Sequence, residues 1–204
     1  MPPPLPQKPG SRLGPLPRPI DADMTTHDPI ADIQRWLDRI VIGLNLCPFA
    51  KAVVAKQQVR YVLSDATTPE ALLETLGEEL IRLRDTPATE VDTTLIVHPR
   101  VLTDFLDYND FLDDADGLVE ELELEGLLQV ASFHPRYQFA GTDPDDIGNY
   151  TNRAPWPTLH LLREDSVSRA VEAFPDPEAI AERNIATLEK LGREGWGRLL
   201  GHSD

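Results

Sequence analysis

The chain has 204 residues, 41% of them hydrophobic and 26% charged, with a formal net charge of −16. That length suits one domain with a sizeable core, and the acidic balance argues against nucleic acid and anionic membrane, which need a basic face. With one cysteine, no secretory leader and no apolar run near the ~20 residues of a bilayer span, the chain reads as cytoplasmic.

Residues 1–23 hold eight of the nineteen prolines and few large apolar residues. Such a segment cannot offset its ordering entropy, so residues 1–27 are expected to be a disordered, proline-rich tail, with Met24 an alternative start. A single globular domain over 28–204 follows. Asp28-Pro29 suits a helix start, and Ile30, Ile33, Trp36, Leu37, Ile40, Val41 and Leu44 keep helical spacing until Cys47-Pro48. Val59–Leu63 reads as a strand. Thr68-Pro69 opens a helix to about Arg84, with Leu72, Leu73, Leu76, Leu80, Ile81 and Leu83 as its apolar side. A second strand over Thr93–His98 precedes a long acidic helix, in which Leu102, Phe105, Leu106, Leu112, Val119 and Leu122 mark the apolar face. Strands over Leu127–His134 and Thr158–Arg163, a short helix over 165–173 and a last helix opened by Asp176-Pro177 complete the chain.

This order predicts an α/β (α+β) domain: a four-stranded mixed sheet, distantly ferredoxin-like, packed with about five helices. Cover mainly on one face is the first expectation and a three-layer sandwich the alternative.

His-Pro-Arg occurs twice at predicted strand ends, in VHPR (97–100) and SFHPRYQF (132–139). The intervening helix makes a βαβ crossover, so parallel strands would bring both turns to one carboxyl edge, where open α/β sheets bind ligands. The proline after each histidine ends the strand ladder. The following segment, Pro135–Pro157, is long for a loop, and its aromatic residues argue for packing. A fourth strand antiparallel to the third would start at that same edge, near His160.

Three readings compete. In the first, an enzyme takes a small anionic substrate, carrying phosphate or carboxylate. Arg100, Arg136 and Arg153 would clamp the anion, Asn149 and Asn152 would orient it, and His134 or His160 would move protons. Cys47 is either a buried residue at a helix exit or a nucleophile, the latter requiring a nearby cation. In the second, His98, His134 and His160 with Asp143 or Asp145 bind a metal, although no HExxH-type spacing is present. In the third, the cleft senses a metabolite without turnover. No phosphate-cradling or dinucleotide fingerprint occurs, so the cofactor is unknown.

GLNLCPFAKAV (43–53), VRYVLS (59–64), SFHPRYQFAG (132–141) and NYTNRAPWPTLHLLREDSV (149–167) resemble the bacterial domain-of-unknown-function family numbered 1415. The resemblance spans roughly residues 28–195 and implies no established activity. Its distinctive blocks coincide with the Cys47 turn, the second His-Pro-Arg turn and the long loop.

Overall fold

A computed structural model describes residues 28–172 and 179–201. The proline-rich segment and the Asp176-Pro177 helix start lie outside the described residues. Helix α1 (Pro29–Trp36) opens with Pro29 in its first turn, and the Asp28 carboxylate accepts the N–H groups of Ile30 (3.0 Å) and Ala31 (3.3 Å). It runs on into a π-helical turn, Leu37–Ile42. That turn closes on Gly43, where a Cβ would fall on the carbonyl of Arg39. Helix α2 (Ala50–Ala55) and strand β1 (Val59–Leu63) follow. Next come α3 (Pro69–Asp85), β2 (Thr93–Val97), α4 (Phe105–Glu121) and β3 (Leu128–Phe133). A 3₁₀ turn (Ile147–Asn152) leads to β4 (Thr158–Arg163), α5 (Glu164–Glu172) and α6 (Ala179–Leu200). No helix among the described residues is long and apolar enough to cross a membrane.

The sheet is four-stranded and mixed, in the order β1-β2-β4-β3. Strand β1 is parallel to β2, whereas β4 runs antiparallel to both β2 and β3. Strands β2 and β3 therefore point the same way with β4 between them. Val97 and Phe133 both face Thr158, so the two His-Pro-Arg turns leave one edge on either side of the start of β4.

Helices cover both faces, as the three-layer alternative requires. On one face, Ile96, Leu128, Leu159 and Leu161 meet α3 and α4 through Leu72, Leu76, Leu80, Tyr108 and Phe111. On the other, Leu95 and Val97 meet α1, the π turn and α6 through Ile33, Trp36, Ile40, Leu188 and Trp196. Each large apolar side chain fully withdrawn from water contributes roughly 1.5–3 kcal/mol before entropy. Arg60 of edge strand β1 ties α3 to the sheet, meeting the buried Glu79 carboxylate at 2.6 and 3.0 Å. Of the expected α4 face, Phe105, Leu112 and Leu122 pack at the margin of the core and Leu106 is 70% exposed; the buried stripe is Tyr108, Phe111, Ala115 and the expected Val119. Spacings of three and four residues place these four on one stripe, and Leu106 falls on the opposite side.

Candidate functional site

The shared sheet edge gathers an aromatic cluster. His98 and His134, the residues following β2 and β3, both lie on the α3–α4 face, and each ring packs on Tyr108 of α4. Centroid separations are 5.6 Å for His98 and 5.1 Å for His134. Tyr108 is fully buried and donates its hydroxyl to the Thr158 carbonyl at 2.8 Å. Phe105 covers His134 at 5.5 Å, and Tyr137 and Phe139 extend the stack outward at 5.3 and 4.9 Å. His98 and His134 are 0% and 1% exposed.

Each turn fixes one ring nitrogen of its own histidine. The Nδ1 of His98 lies 3.0 Å from the Val101 carbonyl, so it carries a proton and leaves Nε2 as an acceptor. The Nδ1 of His134 accepts the Arg136 backbone N–H at 3.0 Å, so its proton sits on Nε2. Neither Nε2 has a partner in direct hydrogen-bond geometry, although the Leu102 and Thr103 carbonyls come near enough to His134 to oppose part of the lowering of its pKa. An unmet buried polar group costs about 1–3 kcal/mol, so two at one edge call for an explanation.

Burial lowers the pKa of both imidazoles to about 4. For His134 the Arg136 and His98 charges add to the effect. Burial likewise takes His160 to about 4. A folded-state histidine pKa below the unfolded value of about 6.5 gives stability that is full above that value and lost as pH falls towards 4. Urea midpoints are therefore expected to fall already between pH 6.5 and 5, above the usual carboxylate range, and the slope should shrink in His98→Gln. A flat midpoint across that window would contradict the burial of neutral imidazoles.

Outside the cluster lies a groove of about 550 Å³ between the turn after β2, the start of α3 and the outer side of α4. Arg100 stands at its rim, 3.7 Å from Asp65. Asp104, Asp107, Asp110 and Asp114 line it. Asp104 caps α4 through the Leu106 N–H (2.9 Å), which with the nearby Arg136 charge holds its carboxyl below the usual range. Its other oxygen meets the Arg136 guanidinium at 3.1 Å, and that same nitrogen donates to the Thr103 carbonyl at 3.0 Å.

His134, His98, Arg136 and Arg100 therefore share this edge. His160 does not. It pairs with Leu95 and Ala131, whereas the other face carries Ile96, Leu159 and Ser132 in register. One residue of alternation thus sends it to the opposite side of the sheet. There its Nε2–H meets the Thr93 hydroxyl at 2.7 Å, and that hydroxyl in turn donates to the Leu161 carbonyl. Cys47 also packs on that opposite face. No group of three or more His, Cys, Asp or Glu among the described residues is arranged to hold a metal ion. His98, His134 and His160 are thus not brought together as ligands, and Asp145 is instead paired with Arg193 at 3.3 Å. Asp143 offers its Oδ1 to the Asp145 N–H at 3.5 Å.

The remaining candidates hold the long loop in place. The buried Asn149 amide accepts from Phe139 N and Thr142 Oγ1, both at 2.9 Å, and donates to the Asp143 carbonyl at 2.9 Å. Asn152 donates to the Ser132 carbonyl at 3.2 Å. Arg153 donates to the carbonyls of Tyr137 (3.2 Å) and Pro144 (2.7 Å) and stacks 4.2 Å over Tyr150, with burial lowering its pKa. Asn149→Ala removes all three of its bonds, so the Phe139 amide should exchange with solvent at least about tenfold faster. Unchanged protection would mean that the loop is held by something else. Tyr108 and Phe105 are the site residues not foreseen from sequence. Their signal was the Phe105-Tyr108-Phe111 spacing on one helix, which a core reading absorbs equally well.

The fold and edge define a three-layer α/β domain whose paired strand exits bury two histidines against one tyrosine. The family model for proteins of unknown function named DUF1415 matches residues 28–198, and the chain belongs to that family. No curated protein and no solved structure matches the chain.

Proposed function

We propose that the chain is an enzyme acting on a small substrate at the carboxyl edge of β2 and β3. The observation that carries this reading is the pair of buried imidazoles, held in opposite tautomers by their own turns and each retaining an unpartnered Nε2. His134 would donate its Nε2–H to a developing negative charge, and His98 would accept a proton or a hydrogen bond. A neutral imidazole donor in a water-excluded site loses little to competing solvation. Arg100 at the rim and Arg136, which bonds Asp104 of the groove wall, suit a phosphate or carboxylate. The aspartates lining the groove favour a substrate that also carries a positive charge, as a zwitterion does. The lone cysteine and the acidic balance favour a cytoplasmic setting without nucleic-acid partners.

The test is a panel of phosphate- and carboxylate-bearing metabolites read by thermal shift. A true substrate should stabilise the wild type and fail to stabilise His134→Gln. Equal stabilisation of both would sink the assignment.

One observation favours a second reading, a non-catalytic metabolite-binding module. Imidazoles with pKa values of about 4 are weak proton acceptors near pH 7. A panel compound recovered chemically unchanged after long incubation would select that reading.

A further inference from the structure

If the edge is a substrate site, its histidines need a route to solvent, since both are almost completely buried. Over His134 lies the short stretch Leu102–Asp104. The carbonyls of Leu102 and Thr103 approach the imidazole closely enough to favour its charged form, yet neither reaches direct hydrogen-bond geometry with its Nε2–H. Leu102 itself sits in the left-handed region at φ 54°, a conformation that side chains rarely adopt. What holds this stretch down lies on the outside. The Arg136 guanidinium bonds the Thr103 carbonyl and the second oxygen of Asp104 at 3.0 and 3.1 Å, in an exposed position. The neighbours on either side are anchored independently. Val101 is buried and its carbonyl holds His98, while Phe105 begins α4 and packs on His134 and Tyr137.

From these contacts we infer that Leu102–Asp104 is a strap closed over His134 and that Arg136 is its latch. An anionic group entering the groove takes the guanidinium away from Asp104 and the Thr103 carbonyl. The strap then lifts at Leu102, relieving its backbone, and the Nε2–H of His134 meets the substrate. Asp104 can release Arg136 without losing the helix cap, because its other oxygen serves the Leu106 N–H. Arg136 is thus a positioning residue that also governs access. Its backbone N–H sets the tautomer of His134 and its side chain sets the position of the strap. The inference rests on the proposed substrate site but is tested separately from it.

The test is chemical footprinting of the full chain with diethyl pyrocarbonate, quantified by peptide mass spectrometry at His134 and at His160. Arg136→Gln removes the latch but keeps the backbone N–H. Opening an exposed ion pair with one added hydrogen bond should raise the His134:His160 modification ratio about five- to tenfold. Arg136→Lys, which keeps the charge but lacks the forked donor, should fall between. Global loosening would raise both histidines together and leave the ratio unchanged, and an unchanged ratio overturns the strap. Footprinting reads access, not turnover. A strap that fails this test while His134→Gln still abolishes ligand stabilisation would therefore leave the substrate site standing.

Discussion

In urea unfolding, Tyr108→Ala loses about 3–5 kcal/mol of stability relative to the wild type. The ring is fully buried between His98 and His134, so truncation opens a cavity walled by two imidazoles and takes the Tyr108 hydroxyl from the Thr158 carbonyl. Surrounding atoms cannot collapse into that space, because strands β2, β4 and β3 fix the wall on one side and α4 carries the other. Tyr108→Phe keeps the packing and removes only the hydroxyl, so it should cost about 1 kcal/mol. The contrast between the two separates packing from the hydrogen bond. An alanine variant within 1 kcal/mol of the wild type would mean that Tyr108 does not organise the edge.

Under the proposed enzymatic reading, turnover of a compound from the metabolite panel should fall by about 10²–10⁴-fold in His134→Gln, the usual contribution of a positioned proton-transfer or hydrogen-bonding group. Glutamine approximates the reach of the imidazole and retains an N–H donor, so it probes more than simple loss of volume. Its amide is not held by the Arg136 N–H in the geometry that fixes the imidazole, and the donor is no longer aimed. His160→Gln, on the opposite face against Thr93, should leave turnover within about twofold while costing stability. If His160→Gln loses turnover and His134→Gln does not, the reaction belongs to the other face of the sheet.

Much of the edge was legible in the sequence. Alternation and turn residues bound β1 and β4 at the residues where the strands form, and the repeated His-Pro-Arg marked two exits from one side of the sheet. The insertion of β4 between β2 and β3 was not legible, because local pattern does not record which strands are neighbours. The register of β4 against its neighbours, equally hidden in local pattern, decides the fate of His160. Sharing a strand face with Thr158, it pairs with Leu95 and Ala131, away from the other two histidines. The polar residues of the long loop misled for a different reason. Asn149 and Arg153 are residue types that bind ligands, but buried loop backbone needs the same donors and acceptors, and here it takes them. The α4 face was open to reading, since Tyr108, Phe111, Ala115 and Val119 keep helical spacing. A tyrosine at such a position gives no sign that its neighbours across the sheet are histidines.

The most direct test of the histidine edge is a long-range ¹H–¹⁵N spectrum of the imidazoles at neutral pH, recorded with and without a compound that stabilises the wild type in the thermal-shift panel. His98 should appear as the Nδ1–H tautomer and His134 as the Nε2–H tautomer. On addition of the compound the Nε2 signals of these two should move, with His160 unaffected. Matching tautomers for His98 and His134, or a compound that shifts His160 and leaves both of them in place, would contradict the account.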